Sequence, residues 1–232
     1  MKKSYLSLLA VSFLCASSSF AALSTVTLTQ DTHQYSGGNS GGEFKAVTSG
    51  NGTFQTFCID VGHEFYSKGT YNYTISQQTY AGSGNNISIG TAWLYSQFLS
   101  GGLSAYGYNY TLGSTRTASA TSLQAVFWGL ENEFYDKSGN LFNNNNPFYN
   151  AVVAKFGTLA AAEADAGANN IYGVAVMNLY SGSNPNQNLH QSQLIELRSI
   201  PEPSTVVAGA LLLLPLGVST IRILRRKQVA LK

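Results

Sequence analysis

The sequence predicts an α+β domain, a β-rich sheet or sandwich with an inserted group of helices, followed by a C-terminal single transmembrane helix. Three observations predict it. Residues 24–75 and 172–198 alternate in polarity and are rich in β-branched and aromatic side chains, with glycine marking the turns. Between them, residues 89–166 carry apolar side chains at helical spacing. Residues 206–221 are almost wholly apolar and are followed by basic residues.

The elements follow in order. Ser24 to Gln30 is a strand, Gly37, Gly38, Gly41 and Gly42 mark a loop, and Glu43 to Thr48 is a second strand. Thr53 to Asp60 alternates Phe54, Thr56 and Cys58 against Gln55, Phe57 and Ile59, and Tyr71 to Ile75 is a further strand. Ile89, Ala92, Trp93, Tyr95, Phe98 and Leu99 then define a helix that ends at Gly101-Gly102. A second helix spans about Ala118 to Phe134, with Leu123, Phe127, Leu130 and Phe134 along one face. Pro147 opens a third helix through Phe156, and Leu159 to Ala166 is an alanine-rich fourth. Tyr172 to Tyr180 and Gln193 to Arg198 return to strands.

Both termini lie outside that domain. Met1-Lys2-Lys3, the apolar run from Leu6 to Phe13 and the small residues around Ser19-Phe20-Ala21 have the order of a secretory signal peptide. The expected division is a signal peptide at residues 1–21, an exported domain at 22–199 and a sorting and anchor segment at 200–232. A membrane span needs roughly 17–25 residues, and Val206 to Ile221 reaches that range when Ser204, Thr205 and a snorkelling Arg222 extend it. Arg222, Arg225, Arg226 and Lys227 then place the C-terminus in the cytoplasm and the domain outside.

The formal charge of +2 conceals an acidic domain. Between the terminal basic clusters, six basic residues face all eleven acidic ones, leaving that stretch near −5. Such a surface does not neutralise phosphates, so no nucleic-acid partner is expected.

Catalytic motifs are missing. The one Gly-x-Ser-x-Gly match, Gly38 to Gly42, lies in the glycine loop between two strands and not on a strand-to-helix elbow. With no His-Glu-x-x-His helix and no phosphate-cradling glycine loop, no enzyme, metal or cofactor is expected. His33, His63 and His190 are isolated and read as surface residues. Asp60, His63 and Glu64 read as a solvated turn after a strand. Glu131 and Glu133 point to different sides of a helix. Of the two cysteines, Cys15 leaves with the signal, so Cys58 is alone in an oxidising compartment. A lone cysteine there is buried and inert, paired between chains, or chemically used.

The C-terminus resembles the PEP-CTERM sorting signal of Gram-negative bacteria through Pro201-Glu202-Pro203, the short apolar helix and the closing Arg225-Arg226-Lys227. The N-terminal signal implies signal peptidase and export across the inner membrane, the apolar segment a single-pass membrane anchor, and the resemblance processing by an exosortase near Pro201-Glu202-Pro203. The resemblance also implies release or attachment at the cell surface, often alongside exopolysaccharide. A second resemblance lies inside the domain. Phe57-Cys58-Ile59 on a strand, followed by Leu123-Gln124-Ala125-Val126-Phe127-Trp128 on a helix, is similar to bacterial surface thioester domains. There an aromatic-Cys-hydrophobic strand and a Thr-Gln-x-Ala-Ile-Trp helix join through a Cys–Gln thioester that acylates a target. Leu123, Val126 and Phe127 depart from that pattern, while Gln124 and Trp128 match it. The resemblance implies Cys58 and Gln124 as the thioester pair and Trp128 as a wall of its pocket.

Three functions are therefore expected in competition. The first is a non-enzymatic surface or extracellular-matrix protein with an adhesive task. The second is a covalent adhesin using Cys58 and Gln124, and the third is a carbohydrate-binding module built on the many aromatic residues.

Overall fold

The computed structural model describes residues 24–29, 41–66, 68–80, 84–133, 141–167 and 171–197. Six strands and four helices occur in the order β1 (Thr25–Thr29), β2 (Glu43–Thr48), β3 (Gly52–Phe57), β4 (Thr70–Ser76), α1 (Ile89–Leu99), α2 (Ser114–Leu130), α3 (Pro147–Phe156), α4 (Leu159–Ala162), β5 (Val174–Tyr180) and β6 (Gln193–Glu196). A short 3-10 helix at Gly102–Tyr106 follows α1. The helices are thus inserted between β4 and β5, as the sequence predicts. The sheet is a single antiparallel one, ordered β3-β2-β1-β4-β5-β6.

The two outer strands meet. Past the end of β3, Cys58 bridges Gln193 of β6, Ile59 N–H donates to Ser192 O at 3.0 Å, and Thr56 Oγ1 donates to Leu194 O at 2.6 Å. Curling in this way removes two exposed edges that would otherwise invite pairing with other chains. Of the two architectures expected, a curled sheet replaces the sandwich.

Burial explains why β5 does not alternate. All seven of its residues are buried. Val174 and Val176 pack into a core with Phe57, Trp93, Leu123 and Phe127 under the helices, whereas Ala175, Met177 and Leu179 join Val26, Leu28, Tyr71 and Tyr73 on the other face. A strand covered on both faces loses the period-2 polarity that a half-exposed strand shows.

Helix ends carry their own signals. Ser88, Asn146 and Thr158 cap α1, α3 and α4 by accepting from the backbone N–H of Thr91, Phe148 and Ala161. The second helix starts at Ser114, four residues before the expected Ala118. Its first turn is rich in weak helix formers, but Arg116 there is held by Glu43 of β2. The same helix stops at Leu130 in a left-handed turn: Asn132 has φ 56, its N–H bonds Gly129 O, and Glu133 N–H bonds Trp128 O. The alanine-rich α4 ends at Ala162 because the chain beyond it turns to pair with the start of α1, through Ile89 N–H to Ala164 O and Ala166 N–H to Ile87 O.

Among the described residues, no helix is long and apolar enough to cross a membrane. The signal peptide, the sorting motif Pro201, Glu202 and Pro203, the apolar segment and the basic residues Arg222, Arg225, Arg226 and Lys227 lie outside the described residues.

Candidate functional site

Three elements converge on one dry site. Cys58 continues β3 at the point where the sheet closes and is fully buried. From the middle of α2 comes Gln124, also fully buried, and Trp128 follows one turn later with 2 % of its surface exposed. The start of β2 supplies the backbone of Gly41 and Gly42. Phe44, Cys58 and Trp128 form a small apolar cluster of their own.

Hydrogen bonds fix the Gln124 carboxamide at both ends. Its Oε1 accepts from Gly42 N–H at 3.1 Å and from the Cys58 thiol at 3.3 Å, and its Nε2 donates to Cys58 O at 2.6 Å. A backbone donor on one side and a backbone acceptor on the other decide which end is oxygen. Residues 66 positions apart in sequence thereby meet through two reciprocal contacts.

The sulfur is held as a neutral thiol. Burial pushes its pKa far up and the Asp60 charge adds to the rise, while the Cys58 and Gly42 backbone and the Trp128 indole N–H oppose it. That indole Nε1 is buried and makes no hydrogen bond of ordinary geometry. Trp128 therefore brings an unused donor to the neighbourhood of the sulfur.

Gly41 sits directly on the pair. It has φ +62, and a Cβ placed on it would lie 2.7 Å from Trp128 Cζ2 and 2.9 Å from Gln124 Cγ. Only a residue without a side chain lets the backbone pass this close.

An ion pair between a buried carboxylate and a partly buried guanidinium ties β2 to α2. Arg116 Nε donates to Glu43 Oε2 at 2.8 Å, and its Nη2 contacts Glu43 Oε1, so the pair is bidentate. Tyr108 O–H donates to the same Oε2 at 2.8 Å. Burial, followed by the Glu43 charge, pushes the Tyr108 pKa up, which keeps this hydroxyl a donor. Glu43 is the residue after Gly42, and Arg116 lies on the helix that carries Gln124. The pair thus joins the two elements that meet at the carboxamide.

Asp60 is a correction to the sequence reading. It is fully buried, not solvated, and it secures the seam of the sheet by accepting from Ser192 N–H at 2.5 Å and His63 N–H at 3.2 Å. His63 Nδ1 lies 3.4 Å from its Oδ1 without forming a hydrogen bond. Burial is the main reason its pKa is pushed up to about 6, and the Glu133 charge acts in the same direction. A carboxyl whose folded pKa is raised contributes stability fully below its unfolded pKa and loses it as pH rises through the folded value. Wild-type stability in urea should therefore carry a component that falls between about pH 4 and about pH 6, absent from Asp60→Asn. The difference between the two titration curves isolates Asp60 from Glu131, whose pKa burial also raises.

The remaining candidates do not assemble. His190 binds Ser181 Oγ at 2.7 Å and Glu64 O at 3.2 Å, and His33 lies outside the described residues. Among the described residues no three His, Cys, Asp or Glu side chains are grouped to hold a metal. Glu131 accepts from Ser88 Oγ at 2.9 Å, while Glu133 accepts from Val61 N–H at 3.3 Å, so the two carboxylates serve different loops.

Compared with known proteins, the chain matches no family model, no curated protein and no solved structure.

Proposed function

We propose that this protein is an exported, cell-surface or extracellular-matrix adhesin, delivered by its C-terminal sorting segment, whose domain forms an internal Cys58–Gln124 thioester. The observation that carries the reading is the reciprocal contact of Cys58 with the Gln124 carboxamide, with Gly42 N–H on the carboxamide oxygen. In the reaction the Cys58 sulfur bonds to Gln124 Cδ, the C–N bond breaks, and nitrogen leaves as ammonia carrying the thiol proton. Negative charge develops on Oε1 as the tetrahedral intermediate forms, and Gly42 N–H already addresses that atom. Burial of both residues keeps water from the acyl group. A nucleophile on a surface target then takes the acyl group and frees the thiol, a single covalent event without turnover.

The sequence supports the destination through Pro201-Glu202-Pro203, the apolar segment and the basic residues that follow it. The carbohydrate-module reading has less support, because Trp93 and Trp128 are both buried and, among the described residues, only tyrosines such as Tyr66, Tyr80 and Tyr106 are left as exposed rings.

Intact mass of the full protein, recovered from an exporting host, tests the bond. The wild-type chain should be lighter than its sequence by about 17 Da for lost ammonia, and methylamine should add about 31 Da while freeing Cys58 to alkylation. Cys58→Ala should show neither change. Full mass with a freely alkylated Cys58 in the untreated protein would sink the proposal.

A further inference from the structure

We propose that the Trp128 indole N–H is a donor that stabilises negative charge on the Cys58 sulfur, beside the Gly42 N–H that is hydrogen-bonded to the carboxamide oxygen. This rests on the thioester reading. Two observations converge on it. The Trp128 Nε1 atom is buried and unpartnered, a donor committed to no other acceptor. Trp128 also packs in the same three-residue cluster as Cys58, and its N–H favours the sulfur anion.

The chemistry makes two atoms anionic at different moments. When the bond forms, the thiol gives up its proton and its electron pair attacks Gln124 Cδ; the carbonyl π pair moves to Oε1. Collapse of that intermediate returns the pair to carbon, expels the amide nitrogen with its own bonding pair, and delivers the thiol proton to it as ammonia leaves. When a target amine later attacks, nitrogen bonds to Cδ and the C–S bond breaks. Its electron pair departs on sulfur, and the proton lost from the amine ends there or in solvent. Gly42 N–H is hydrogen-bonded to Oε1 and serves the oxygen in both directions. The Cys58 and Gly42 backbone also favours the sulfur anion, but Gly42 N–H is engaged with Oε1 whereas the indole N–H is engaged with nothing, and burial makes an unassisted thiolate costly. An indole N–H is suited to this: it donates only, and it has no acceptor to compete for the thiol proton.

The test compares wild-type protein with two variants in which position 128 keeps a planar aromatic but loses the N–H: Trp128→Phe, and the full chain with benzothienylalanine, which retains the two-ring shape. Methylamine addition, followed by intact mass over time, reads departure of the thiolate. Both variants should react about tenfold or more slowly, the scale expected for one lost donor to a developing anion. The benzothienyl chain should keep wild-type stability in urea. Wild-type rates in the benzothienyl chain would overturn the inference alone, with the thioester standing. A wild-type protein with neither mass deficit nor methylamine addition would overturn both.

Discussion

Arg116→Met should destabilise the protein by about 3–5 kcal/mol, because it strips the counter-charge from a buried carboxylate. Glu43 is fully buried. Tyr108 O–H would stay on Oε2, but a hydroxyl does not replace a bidentate guanidinium. Arg116 also donates from Nη1 to Tyr110 O at 2.5 Å, so the segment leading into α2 loses an anchor as well. Urea unfolding measures the loss. Adding Glu43→Gln to Arg116→Met should restore more than half of it, since the penalty lies in the stranded charge and not in the missing contact. A single variant within about 1 kcal/mol of wild type, the range of a surface pair, would show that the bridge does not bear on stability. The same variant should reduce the yield of the proposed thioester, because β2 and α2 are the elements that hold Gly42 against Gln124.

This pair marks what the sequence concealed. The strand–helix–strand order was legible because the helical spacing from Ile89, the Gly101-Gly102 stop and the Pro147 start are local signals, and α1 and α3 fall at the expected residues. The meeting of Cys58 with Gln124 was legible only through two short motifs, since no local rule joins residues so far apart. Glu43 and Arg116 gave weaker hints. Glu43 sits where the alternation of β2 reads outward, with Lys45 and Val47, yet it alone of those three is buried. Its partner lies in a turn whose Ser and Thr content argues against helix, and tertiary pairing overrides that propensity. Gly41 and Gly42 read as a simple loop because a close backbone approach leaves no mark in composition. Asp60 read as solvated because sequence does not show that the sheet edges meet over it.

Gly41→Ala should cost about 2–4 kcal/mol and abolish the proposed thioester, combining a left-handed backbone penalty with overpacking. The new methyl would fall 2.7 and 2.8 Å from Trp128 Cζ2 and Cη2 and 2.9 Å from Gln124 Cγ. None of these is the free end of a flexible side chain. The ring is wedged against Cys58 and Phe44, and Cγ stands close to the helix backbone, so relief requires lifting β2 away from α2. That motion lengthens the Gly42 N–H to Oε1 bond and leaves the carboxamide without its donor. Gly52 supplies the control. It has φ +74, but nothing lies within 4 Å of its Cβ position, so Gly52→Ala carries the backbone penalty without the clash. Its cost should be about 1–2 kcal/mol, with the mass deficit and methylamine addition unchanged. Urea midpoints and intact masses for the two variants separate the contributions. Equal midpoints and equal mass deficits would mean that Gly41 is chosen for its backbone angle alone and that its contact with Trp128 and Gln124 is immaterial to the bond.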